Sequence, residues 1–120
     1  MSADDFYRGK KVLVAGGTGT IGIPVTARLV GHGASVHVVS MDSENYARRV
    51  LPEGISFERI DLTNMENCLS VTRDSDYVFN LVGIKGSVGI GQKKVASYLV
   101  PMLWFQTNLM EAAFRNQVKR

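Results

Sequence analysis

Cysteine is nearly absent: Cys68 stands alone among 120 residues. That excludes an intrachain disulfide framework and fits a reducing compartment. Cys68 has no His or Asp near it in a nucleophile pattern, so it reads as a small buried side chain. Histidine is scarce as well. His32 and His37 have no second Cys or His cluster at ligand spacing, and no metal is expected. Long apolar runs are missing, none approaching the roughly 18–20 residues that cross a bilayer. The opening MSADDFYRGK is acidic and polar, unlike a secretory leader. These absences predict a cytoplasmic chain without a membrane partner. Strong charge of one sign is lacking too, with a net charge of only +3. The basic pairs Lys10–Lys11, Arg48–Arg49, Lys93–Lys94 and Lys119–Arg120 are scattered and lack interleaved aromatics, which argues against nucleic acid.

What is present begins at Lys11. Val12, Leu13 and Val14 form a short uncharged run, as a strand buried on both faces requires. Glycines follow at 16, 17, 19 and 22, and then a helical pattern begins. Glycines permit positive φ and close approach of backbone to ligand. The amino end of the next helix attracts phosphate through its N–H groups and dipole. Strand, glycine turn and helix together predict a pyrophosphate cradle for a dinucleotide, although the first gap is one residue wider than in G-x-G-x-x-G. It is not a Walker loop, since Ile23 and Pro24 follow Gly22 where Lys and Ser/Thr would be needed.

Residues 1–9 read as a polar lead-in. After the turn, apolar residues at 21, 25, 29 and 30 predict a helix from Ile21 to Gly31, with Pro24 tolerated in its first turn. Ala34–Ser40 predicts a second strand, parallel to the first through a right-handed crossover. Ile55–Ile60 predicts the third strand, residues 64–73 a short helix and Asp76–Gly83 the fourth strand. A last helix is expected from about Lys93 to Asn116, with Leu99, Leu103, Gln106, Met110 and Phe114 near one face. Pro101 either kinks it or marks a second start. The fold class is α/β, a Rossmann-type doubly wound parallel sheet. It is incomplete, with about four strands in the order 3-2-1-4 and helices on both faces.

At the end of the second strand such folds select their cofactor, an acid there meeting the ribose of NAD and repelling the 2′-phosphate of NADP. Here the position is Ser40, which removes the repulsion and leans toward NADP, with NAD the alternative. Asp42 is in reach of the ribose. Arg48 and Arg49 either pair with a phosphate or form a solvated face. Gly83, Gly86, Gly89 and Gly91 with Lys85 make a loop at the carboxyl end of the fourth strand, placed either to meet substrate or merely to connect.

AGGTGTIG resembles the TGGxGxIG turn of the extended short-chain dehydrogenase/reductases, the NAD(P)-dependent nucleotide-sugar epimerase/dehydratase family, with Ala15 where a Thr is usual. Asn80-Leu81-Val82-Gly83 is similar to the family's His/Asn-x-Ala-Ala/Gly strand end, and TNLMEAAFRNQVKR to its NLLEAARxxGVKR helix. VGIKG is similar to a segment of GDP-L-fucose synthase-like members. The resemblance implies that Gly16, Gly17, Thr18, Gly19, Thr20, Ile21 and Gly22 cradle the pyrophosphate. It also implies that Ser40 and Asp42 meet the adenosine ribose, Asp61 and Leu62 the adenine, and Leu81, Val82 and Gly83 the ribose face. A capping role for Thr63 or Asn64 is compatible with this.

The resemblance further implies hydride transfer at a sugar carbon of a nucleotide-sugar substrate, and a homo-oligomer; the extra apolar side chains of the last helix serve either its interface or the core. The catalytic Tyr-x-x-x-Lys is not recognised in this chain. Tyr7 and Lys11 have that spacing, but Gly9 intervenes and Lys11 opens a strand, whereas the pair needs one helix face. Residues 10–120 are therefore expected to be the amino-terminal part of an NAD(P)-binding domain, inactive alone. The alternative is a non-catalytic, NADP-sensing interaction module. The fourth strand is expected to be an exposed apolar edge prone to self-association.

Overall fold

A computed structural model describes residues 3–83 and 95–120. After a short helix α1 (Ala3–Phe6), the elements run β1 (Lys11–Ala15), α2 (Gly22–Gly31), β2 (Ser35–Ser40) and α3 (Glu44–Val50). They continue with β3 (Ser56–Arg59), α4 (Met65–Thr72), β4 (Tyr77–Asn80) and α5 (Val95–Arg115). The four strands are parallel in the order β3-β2-β1-β4, the topology the sequence predicts. The VGIKG segment from Ile84 on, the glycines at 86, 89 and 91, and Lys85 lie outside the described residues.

Strand alternation divides β1 between two cores. Leu13 and Ala15 face Val39, Leu62, Cys68, Val71, Leu109 and Ala112, beneath α4 and α5. Val12 and Val14 face Leu29, Val36, Val38 and Ile55, beneath α2. Successive side chains of a strand point to opposite faces, so a central strand covered on both sides must be apolar throughout. Phe6 and Tyr7 of the polar lead-in also pack, their rings 5.3 and 5.8 Å from that of Tyr77. Tyr7 thus serves packing, and Lys11 opens β1.

Two expectations shift, and alternatives left open on the last helix are decided. The buried stripe of α2 is Gly22, Thr26 and Leu29, while Ile21 is 65% exposed. Small residues, not the most apolar ones, let this helix settle on the glycine turn. In α5 the face bearing Leu99, Leu103, Met110 and Phe114 is exposed, and Phe105, Leu109 and Ala112 are buried. The helix runs through Pro101 without a second start. Proline removes its own amide donor, but the residue four back is the exposed Ser97, whose carbonyl water can satisfy. Finally, the edge of β4 is not bare. The Lys119 amide donates to Asp76 O (3.0 Å) and the Val78 amide to Arg120 O (2.9 Å).

α5 ends with the Val118 amide donating to Ala113 O and the Gln117 amide to Phe114 O, the paired bonds of a Schellman motif. Gln117 holds φ +58° there, a left-handed conformation suited to glycine. The similar helix of the family carries glycine at this position. Gln117→Gly is expected to stabilise the fold by about 0.5–1 kcal/mol, read from the urea midpoint. Among the described residues no helix is long and apolar enough to cross a membrane.

Candidate dinucleotide site

The carboxyl ends of the strands open into a cleft of about 680 Å³. The glycine turn forms one wall because the backbone there has no room for side chains. Gly16 has φ +82°, and a Cβ on it would stand 2.6 Å from Leu81 O. A Cβ on Gly17 would stand 2.6 Å from Val38 Cγ1. One on Gly22 would overlap Gly16 O and come within 2.6 Å of Gly17 Cα. Three backbones are therefore pressed together, those of the turn, α2 and the end of β4. The Gly16 amide is fixed by Val39 O (2.8 Å) and the Leu81 amide by Ala15 O (2.8 Å).

Helix α2 starts from this turn. Its N-cap, Ile21, makes no side-chain capping bond, and its first turn carries no acid. A negative group arriving there meets the positive end of the helix without competition from a resident carboxylate. These residues fit a pyrophosphate: the cradle is one that a Cβ would fill, and it ends at a helix amino terminus.

Of the predicted residues, Gly16, Thr18, Gly19, Thr20, Ser40, Asp42, Asp61, Leu62, Leu81, Val82 and Gly83 line the cleft. Gly17 and Gly22 lie buried behind the turn, holding its shape, and Ile21 points to solvent instead of the cleft. Ile23, Met41, Tyr46, Ile60, Thr63 and Phe105 also line it, and sequence reasoning did not place them. Tyr46 had a signal in Ser43, whose hydroxyl accepts from the Tyr46 amide and starts α3. Arg48 turns away, donating to Ile55 O and Glu44. Arg49 lies over the Tyr46 ring.

Asp61 Oδ1 accepts from the Thr63 hydroxyl (2.7 Å) and amide (2.9 Å). The hydroxyl first and the amide second hold its carboxyl below the usual carboxylate range. Asn64 is the cap of α4, accepting from the Glu66 and Asn67 amides, so capping and cleft roles fall to neighbours. Below them Cys68 is fully buried and bonded to Leu62 O. Burial, and then the charge of Asp61, push its thiol up to about 11, the opposite of a reactive cysteine. Asn80 donates to Gln106, and Gln106 to Val82 O, tying the cleft floor to α5.

A smaller groove of about 330 Å³ opens at the amino ends of the strands, lined among others by Lys11, His37, Ser56, Glu58 and Arg73. It shares no residue with the glycine turn. Among the described residues no group of three His, Cys, Asp or Glu side chains is placed to hold a metal.

Sheet order, glycine turn and cleft at the strand ends define a Rossmann-type α/β fold. The chain belongs to the NAD dependent epimerase/dehydratase family, whose model matches residues 12–120. It is 31% identical over 113 residues to GDP-mannose 3,5-epimerase of Arabidopsis thaliana, covering 92% of this chain and 29% of that protein. Among solved structures, Pen from Bacillus thuringiensis is similar at TM-score 0.83 and 26% identity, over 95% of this chain and 37% of that one. The NAD complex of Thermus thermophilus UDP-glucose 4-epimerase is similar at TM-score 0.78 and 27% identity, over 90% of this chain and 35% of that one. The chain thus spans under a third of the length of the curated relatives it matches.

Proposed function

We propose that this chain is the NAD(P)-binding part of a nucleotide-sugar epimerase, dehydratase or reductase of the cytoplasm. The observation that carries the reading is the side-chain-free contact of Gly16, Gly17 and Gly22 at the start of α2. It is supported by the epimerases among the relatives. Gly16, Thr18, Gly19 and Thr20 would take the pyrophosphate, Ser40 and Asp42 the adenosine ribose, Asp61 and Leu62 the adenine. Leu81, Val82 and Gly83 would face the nicotinamide-side ribose. The bound nicotinamide supplies hydride acceptance and return. This chain's residues grip and orient it, and the chain alone is expected to bind without turning sugar over. The exposed face of α5 is proposed as the contact of a homo-oligomer. The alternative, a non-catalytic NADP-sensing interaction module of the same fold, draws on Val82 and Phe105, which place branched and aromatic bulk in the cleft.

The test is amide chemical-shift mapping with NAD and NADP added in turn. Saturable shifts are expected at Gly16, Gly19, Thr20 and Gly83, with none at His37 or Ser56. Absence of shifts with both dinucleotides at millimolar concentration would overturn the reading. Interconversion of nucleotide sugars by a longer form of the protein would separate the enzyme from the sensing module.

A further inference from the structure

The groove at the amino ends of the strands holds a second set of chemistry-bearing side chains, and it shares no residue with the dinucleotide cleft. β2 and β3 run parallel with His37 opposite Ser56 and Val39 opposite Glu58. Alternation puts all four on one face of the sheet, the face on which Val39 joins the core beneath α4 and α5. Toward the amino ends that face turns polar. His37 Nδ1 lies 2.7 Å from Ser56 Oγ, and its Nε2 lies 4.0 Å from Glu58 Oε2. All three side chains line the groove of about 330 Å³, with Ser70 and Arg73 from the end of α4.

The order of these contacts decides where the ring proton sits. Neutral imidazole has one N–H and one acceptor nitrogen. A carboxylate beside Nε2 favours the proton there, which leaves the Nδ1 lone pair for the Ser56 hydroxyl. At 4.0 Å the carboxylate is too far for a hydrogen bond and acts through its charge. The His37 side chain is 34% exposed and Ser56 is exposed, so an incoming molecule reaches both. A hydroxyl bonded to a base that a third group orients is the arrangement acyl transfer uses. Lys11 and Arg73 line the same groove, and a cation there would stabilise negative charge developing on an acyl oxygen. Glu58 and Asp74 balance them along the lining, which suits an uncharged ester. The volume is at the small end for ligand sites, which suits a short acyl group.

We propose that Ser56 is a nucleophile with His37 as its general base, and that this groove hydrolyses small uncharged esters. Ser56 Oγ gives its proton to His37 Nδ1 and attacks the ester carbonyl carbon. The Oγ–C bond forms, the ester C–O bond breaks, and the alcohol leaves with the proton from Nδ1. Water then attacks acyl-Ser56, its proton passes through Nδ1 to Ser56 Oγ, and the carboxylic acid departs. Glu58 is the positioning residue, holding the ring proton on Nε2.

The probe is p-nitrophenyl acetate. The chain is expected to release p-nitrophenolate, and peptide mass mapping of the quenched reaction is expected to find acetyl on Ser56. Ser56→Ala and His37→Gln should each lose at least about a hundredfold of the rate. Ser56→Ala, at an exposed position, should keep the parent's urea midpoint. NMR of the imidazole should place the proton on Nε2 in the parent and on a mixture of both nitrogens in Glu58→Gln. Acetyl groups on lysines alone, a Ser56→Ala rate equal to the parent's, or a proton resident on Nδ1 overturns the proposal. An unchanged tautomer in Glu58→Gln overturns the role of Glu58.

Discussion

Gly22→Ala is expected to cost about 3 kcal/mol of stability or more and to abolish measurable dinucleotide binding. Gly22 opens α2, and it is not among the glycines with positive φ. Judged by local propensity alone, alanine there should help, because glycine in a helix is about 0.5–1 kcal/mol worse. The sign is reversed by what a methyl group would strike. A Cβ at Gly22 overlaps Gly16 O and lies 2.6 Å from Gly17 Cα and 2.8 Å from Gly17 C. All of these are backbone atoms of a turn that is itself pinned by Val39 O and backed by Leu81. No flexible side chain can give way, so the turn must open or the helix must lift. Gly31, at the far end of the same helix, is the control, since a Cβ there meets nothing within 4 Å. Gly31→Ala should therefore leave binding unchanged and raise stability by up to about 0.5 kcal/mol. Urea unfolding and calorimetric titration of the two variants give both readouts. Equal stability and binding for Gly22→Ala would mean that the turn is not closed as described.

That contrast also marks what can be read from a sequence. β1 was legible because a strand covered on both faces needs an unbroken apolar run, and few other structures do. The glycine turn was legible because its glycines fall between such a run and a helical period. Helix faces were harder. Hydrophobic periodicity selects large apolar residues, yet α2 buries Gly22 and Thr26, chosen for their smallness where two backbones meet. α5 carries enough apolar residues for two faces, and only packing against α4 and the sheet decides that Leu109 is inside and Leu103 outside. At the site, the positions at the strand ends were identified, but the partnership of Thr18 with Asp42 joins residues 24 apart in sequence. Nothing local signals which hydroxyl proton is engaged, so that partnership appears only once the chain is folded.

The division of α5 gives the second large effect. Leu109 is 1% exposed and packs with Leu13, Val39, Val71 and Ala112 in the core between α4, α5 and the sheet. Leu109→Ala removes apolar contact and leaves a cavity whose walls, a strand and two helices, relax only partly. A loss of about 2–5 kcal/mol is expected, much of the marginal stability of a domain this size. Leu103, six residues earlier on the same helix, is 51% exposed, and Leu103→Ala in dilute solution should change stability by less than about 0.5 kcal/mol. Denaturant midpoints at low protomer concentration check the pair, and comparable losses at both positions would show that the helix is seated the other way round. The same variants then address the proposed oligomer. If a second copy covers the outer face, Leu103→Ala becomes destabilising as protomer concentration rises, because association stabilises only the folded chain. The loss at Leu109 already exists within one protomer and should persist at every concentration. A midpoint for Leu103→Ala that tracks the parent chain from nanomolar to high micromolar concentration would remove the outer face of α5 as the contact.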